Sequence, residues 1–111
     1  MNEIRVSPMS EPVLLILLSL AVQPRHGYSI LKDVEEMSQK RVVLSTGTLY
    51  GALARLLEDH WIERFEEQNT SRGRQAYRLT REGRQKLRLE IARLKHLTQV
   101  GGLRLPPKGA S

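Results

Sequence analysis

Between Ser45 and Arg55 the chain reads Ser-Thr-Gly-Thr-Leu-Tyr-Gly-Ala-Leu-Ala-Arg, residue types that recognise a surface rather than react with one. Ser45, Thr46 and Thr48 carry hydroxyls that donate and accept hydrogen bonds, and Tyr50 adds a phenol. Arg55 offers a fork of donors that suits a phosphate or the edge of a guanine. At helical spacing Leu49, Ala52, Leu53, Leu56 and Leu57 share one face. Gly47, Gly51, Ala54 and Glu58 share the opposite face, flanked by Thr48 and Arg55. A glycine inside a helix costs about 1 kcal/mol relative to alanine. Two at the N-terminal part of an outward face predict close approach to another surface, such as the floor of a DNA major groove. There Thr48 can bond a base edge or touch a thymine methyl. Relief of packing against a neighbouring loop is the alternative account of Gly51.

A second group of residues follows. Trp61, Ile62 and Phe65 begin one strand, and Gln75-Ala-Tyr-Arg-Leu79 supplies another with Tyr77 and Leu79 on one face. Asn69-Thr-Ser-Arg-Gly-Arg74 between them is a polar hairpin tip, and its Arg72 and Arg74 can straddle a phosphate backbone or enter a minor groove. From Arg72 to Lys95 nine basic residues face only Glu82 and Glu90, whereas residues 58–67 are mostly acidic. With a formal charge of +6 on 111 residues, the chain favours polyanionic partners, because each neutralised phosphate releases counterions.

Catalysis has no such support. His26, His60 and His96 fall in different elements without ligand spacing or an orienting partner. No glycine-rich phosphate loop is present, and the absence of cysteine excludes disulfides and thiolate metal sites. Neither a catalytic residue, a metal nor a cofactor is expected. The lack of cysteine also fits a reducing cytoplasm, the expected location.

Several elements must position these residues within one domain that has a mainly aliphatic core. Pro12-Val-Leu-Leu-Ile-Leu-Leu-Ser-Leu-Ala-Val22 is too short to cross a bilayer, and Glu3 and Glu11 offset Arg5, so no positive leader precedes it. It reads as a buried helix capped at Ser10, with Glu11 and Pro12 in its first turn. Apolar nearly all round, it needs cover on more than one side, from a second helix and from a second subunit. Gln23–Gly27 reads as a turn, and Ile30, Leu31, Val34 and Met37 mark the inner face of a second helix. Arg41-Val-Val-Leu44 suits a small strand or an extended connector, and Ser45 caps the third helix. Thr80 caps a last helix in which Leu87, Ile91, Leu94 and Thr98 follow the four-three-four spacing of a coiled-coil seam. Under two heptads long, that seam needs help from the first helix. The expected homodimer interface therefore comprises Leu14, Leu18, Leu87, Ile91 and Leu94. The expected boundaries are a flexible N-terminus over residues 1–9, a DNA-binding domain over 10–80, a dimerisation helix over 81–100 and a disordered tail over 101–111.

Four segments carry a family resemblance: Pro24-Arg-His-Gly-Tyr-Ser-Ile-Leu31, Leu44-Ser-Thr-Gly-Thr-Leu-Tyr-Gly-Ala-Leu-Ala-Arg-Leu56, Trp61-Ile-Glu63 and Arg74-Gln-Ala-Tyr-Arg-Leu-Thr-Arg-Glu-Gly-Arg84. In order and at matching spacing over about residues 11–98, they resemble the short branch of the PadR family of winged-helix transcriptional regulators. The resemblance implies a mainly α fold with a small β-hairpin wing, a winged helix-turn-helix with N- and C-terminal dimerisation helices. It implies a regulator, often a repressor, acting as a homodimer on a palindromic double-stranded DNA operator. The third helix would enter the major groove and the wing would touch the backbone. Tyr28, at the start of the second helix, and Tyr50 would reach phosphates, beside Ser45, Thr46, Gly47, Thr48, Gly51, Arg55, Arg72, Arg74 and Gln75. Several members respond to small aromatic or hydrophobic effectors at the dimer interface, and a cavity lined by Leu14, Leu18, Leu87 and Leu94 would be the corresponding place. Thr46 and Gly51 depart from the family, which usually has a proline and a larger, often basic residue there. A winged helix used for protein–protein assembly, or a regulator that needs a partner to hold DNA, is the rival reading.

Overall fold

The computed structural model describes residues 8–66 and 75–109. Four helices and three short strands follow one another as α1 (Glu11–Val22), β1 (Arg25–His26), α2 (Gly27–Met37), α3 (Thr46–Glu58), β2 (Ile62–Phe65), β3 (Ala76–Leu79) and α4 (Arg81–Arg104). The strands form one antiparallel sheet in the order β1-β3-β2.

Local chemistry sets most of the helix ends. Ser10 accepts a hydrogen bond from Val13 N at 3.3 Å, with Glu11 and Pro12 in the first turn of α1. Thr80 accepts from Gly83 N at 2.9 Å and starts α4 directly after β3. The end of α3 is a left-handed stop. His60, at φ 63°, lets its own N–H reach Leu57 O while Trp61 N reaches Leu56 O, the paired bonds that close a Schellman turn.

The core lies where α1 crosses α2, α3, the sheet and the start of α4. Ile16, Leu17 and Leu20 meet Ile30, Val34, Leu49, Leu53, Leu56, Ile62, Tyr77 and Leu79. Truncating a buried leucine of this set, such as Leu53, to alanine costs about 2–5 kcal/mol, the transfer term plus the cavity left behind. Polar braces tie the connectors to this core. Arg25 donates from Nε to Ser19 O at 3.0 Å and lies 3.6 Å from the Asp33 carboxylate, holding β1 to α1 and α2. Ser38 accepts from Val42 N at 2.9 Å, and Arg41 pairs with Glu11, so the first half of the α2–α3 connector is held in place.

Two expectations need correction here, and one open alternative is decided. Gln23–Gly27 is not simply a turn: Arg25 and His26 pair with Tyr77 and Ala76 of β3, and Gly27 is already helical. Nothing local announces that strand, because its partner lies some fifty residues away. Arg41-Val-Val-Leu44 pairs with no strand among the described residues and is a connector. Met37, read as an inward residue, is exposed, because the core ends one turn earlier at Val34.

The last helix departs from its expected length, and Leu87 from its expected place. It passes Val100, continues through Gly101 and Gly102, and stops only at Leu105, beside Pro106. Two glycines cost a formed helix about 2 kcal/mol relative to alanine, too little to end it where each added turn brings hydrogen bonds, whereas a proline disfavours helical backbone in the residue before it. The helical stretch thus reaches four residues into the segment expected to be a disordered tail. Leu87, assigned to an intersubunit seam, is 4% exposed and packs within its own protomer. Beyond Glu90 every residue of α4 is partly or fully exposed, including Ile91, Leu94 and Leu97. This half of α4 is an arm about 20 Å long.

Candidate nucleic-acid interface

The exposed side of α3 is built around its cap. Ser45 Oγ accepts from Thr48 N at 3.1 Å and donates to Thr48 Oγ1 at 2.8 Å. Its proton is therefore committed, and Ser45 orients Thr48 rather than offering its own donor outward. The Thr48 hydroxyl, already accepting from Ser45, keeps its proton for an acceptor beyond the helix. Thr46, Gly47 and Gly51 are exposed beside it. A Cβ at Gly47 or Gly51 would meet no atom within 4 Å. Relief of packing within the described part of the protomer therefore does not explain Gly51.

Tyr50 turns to one flank of α3 and packs over the start of α2. A Cβ at Gly27 would lie 2.4 Å from Tyr50 Oη and 2.9 Å from Tyr50 Cζ, so only glycine admits the ring there. This one contact joins the His-Gly-Tyr and Gly-Thr-Leu-Tyr segments, which are far apart in sequence. Around it His26, Gly27, Tyr28, Tyr50, Gln75 and Tyr77 line a cleft of about 600 Å³. The N-terminus of α2 opens into that cleft, and its N-cap residue supplies no side-chain cap. The first-turn N–H groups of a helix and the positive end of its dipole suit an anion. Tyr28 is 70% exposed at the mouth, with Lys32 Nζ 5.8 Å from its ring centre.

Tyr77 and Arg64 were not singled out as interface residues. Burial pushes the Tyr77 phenol above its usual range; the neighbouring Tyr50 adds to the shift and Arg64 opposes it. Arg64 stands opposite Tyr77 in the β2–β3 register and is exposed, a cation at the edge of the cleft. It was hidden because residues 58–67 read as an acidic stretch, and only the strand register brings it to this side. Arg78, by contrast, is held down by Glu63 at 2.7 Å and lies 4.8 Å from the Phe65 ring centre.

The other flank of α3 carries a second groove. Gly51, Ala52, Arg55, Leu56 and Asp59 face Met9, Val13 and Trp61 across about 640 Å³. Arg55 thus borders this groove as well as the outward face. Arg72 and Arg74, expected at the wing tip, lie outside the described residues. Among the residues described, no three His, Asp or Glu side chains group as metal ligands, and no helix is long and apolar enough to cross a membrane.

A helix-turn-helix whose third helix is exposed, followed by paired strands and a return to the core, is a winged-helix domain. Residues 15–89 match the transcriptional regulator PadR-like family, and the chain belongs to it. A PadR family transcription regulator from hypervirulent Clostridium difficile R20291 has the same fold, with a TM-score of 0.72 at 26% identity over 86% of this chain and 99% of that one. Bacillus subtilis PadR, solved in complex with operator DNA, gives a TM-score of 0.63 at 24% identity over 71% of this chain and 45% of its own, a likeness of fold. An uncharacterised 37.1 kDa protein in transposon TN4556 of Streptomyces fradiae is 40% identical over 85 residues, 77% of this chain. The chain spans only 23% of that relative's length.

Proposed function

We propose that the chain acts as a homodimer on a palindromic double-stranded DNA operator, in the cytoplasm, as a repressor. The observation that carries this reading is the exposed face of α3, where a Cβ at Gly47 or Gly51 would meet no described atom within 4 Å and Thr48 holds a donor outward. That face suits the floor of a major groove, where a threonine can read a base edge and a bare backbone permits close approach. The tyrosine cleft at the start of α2 suits the neighbouring phosphate, with Arg64 nearby and Arg72 and Arg74 reaching the backbone beyond. The exposed leucines of the arm, together with Leu14 and Leu18 on α1, support pairing of two copies. Leu87 is not part of that seam. A small aromatic or hydrophobic effector would act where the two arms and first helices meet.

Footprinting of the purified chain on the DNA flanking its own gene tests this. A protected palindrome is expected, with affinity that falls steeply as salt rises because several phosphate contacts release counterions. Replacing Arg72 and Arg74 should weaken all sequences alike, whereas Thr48→Ala should relax preference among them. Planar aromatics added to the same footprint test for release. Failure to bind any duplex at low salt overturns the reading and favours a protein–protein module.

A further inference from the structure

Glu90 is 2% exposed, the one charged side chain buried among the described residues. Its carboxylate accepts from Met9 N at 3.1 Å, and from Arg93 Nη2 at 2.7 Å and Nε at 2.9 Å. The bond from Met9 N ties α4 to the backbone just before α1, whereas the Arg93 pair lies within α4, one turn further on, and orients the carboxylate. Its position along α4 is equally specific: it is the last buried residue before the helix leaves the body. Nearer the N-terminus, α4 is held by the close approach of Gly83 to the Trp61 carbonyl and by the packing of Leu87. A leucine at position 90 would bury apolar surface without the desolvation that a carboxylate suffers. A carboxylate supplies direction instead, since hydrogen bonds lose strength quickly with angle whereas apolar contacts tolerate sliding.

We propose that Glu90 fixes the direction in which α4 leaves the reading domain and so determines which half-site separation a dimer accepts. The proposal rests on the dimeric reading above. Geometry gives the latch leverage. With the arm about 20 Å long, a swing of roughly 10° moves its far end by about 3.5 Å, close to the rise of one base pair. Loss of the latch leaves Gly83 and Leu87 as a pivot. Each reading helix keeps its own contacts, but the distance between the two is no longer held to one base pair. Glu90 is thus a positioning residue for DNA selection, acting through the arm and touching no nucleotide.

The test uses the full chain, Glu90→Leu and Glu90→Gln on duplexes selected by the wild-type chain from a randomised library. From these, a single half-site and versions with one or two base pairs inserted or deleted at the centre are made. The wild type should prefer its selected spacing at least tenfold over either neighbour. Glu90→Leu, dimeric by sedimentation, should bind the single half-site as the wild type does but discriminate spacing less than threefold. Glu90→Gln still accepts from Met9 N and should keep the preference. If Glu90→Leu fails to fold, Met9→Pro removes the N–H that the carboxylate accepts from, leaves the Arg93 pair in place, and should show the same fall. A dimeric Glu90→Leu that keeps tenfold discrimination overturns the proposal, as does an equal loss on the single half-site, which marks general damage to the reading head. A wild-type chain that is monomeric overturns the dimeric reading and this proposal with it.

Discussion

Gly51 lowers the stability of its own helix, and no contact in the described protomer offsets that loss. If close approach to DNA is what the glycine provides, stability and function should separate at this position. Gly51→Ala is expected to raise unfolding stability by about 1 kcal/mol while weakening operator binding, and thermal melts beside binding titrations would show the opposite signs. Stability and affinity rising together would assign Gly51 no role in recognition. His60 offers a contrast, because its left-handed backbone at φ 63° is a purely local demand. His60→Gly should stabilise the protein by about 0.5–1 kcal/mol, read from urea midpoints, without altering DNA affinity. Thr48, proposed from type and spacing, and Tyr50, proposed from the family resemblance, are both exposed on α3. Ser45 was only half legible, since its capping role was plain but the commitment of its proton to Thr48 needed the geometry.

At the scale of elements, the junction between the sheet and α4 carries the tightest steric demand. A Cβ at Gly83 would lie 1.9 Å from the Trp61 carbonyl oxygen, an atom fixed by its bond from Thr80 N. Gly83→Ala should therefore cost about 2–3 kcal/mol and lower the melting midpoint by roughly 10 °C or more. An unchanged midpoint would mean that the helix can shift freely at its start. About two turns further along α4, Glu90 makes a pH-dependent contribution. The hydrogen bonds from Arg93, aided by Met9 N, hold its carboxyl below the usual 4.5 even though burial opposes them. Its contribution is thus complete above about pH 4.5 and fades as pH falls through the lower folded value. In urea titrations from pH 7 to 3, the wild type's advantage over Glu90→Gln should shrink on the acid side. Caps at Ser10, Ser45 and Thr80 were readable because each is a local event of three or four residues. The strand at Arg25–His26, the burial of Leu87 and the latch at Glu90 were not, because each depends on a partner elsewhere in the chain.

For the molecule as a whole, the mixed character of α4 matters most. Its first half belongs to the protomer's core, and its second half leaves Ile91, Leu94 and Leu97 without cover. Replacing Leu94 and Leu97 together with glutamate should leave helical content intact and shift the protein to a monomer in sedimentation. Persistence of the dimer would move the interface to α1. The fold class was legible because binary patterning and turn chemistry agreed along the chain. The division of α4 was not, since a continuous heptad-like stripe does not say where one partner ends and another begins. The direct passage from Thr80 into a single unbroken helix has a further consequence for how such chains can vary in length. At 3.6 residues per turn, one residue inserted after Glu90 rotates the far leucines by about 100° away from the seam they share with Glu90's neighbours. A second carries them to about 200°, whereas three or four bring them back to within about 60° or 40° of phase, and seven to within about 20°. Loops elsewhere can grow residue by residue, but this helix can change length only in whole steps of its own winding.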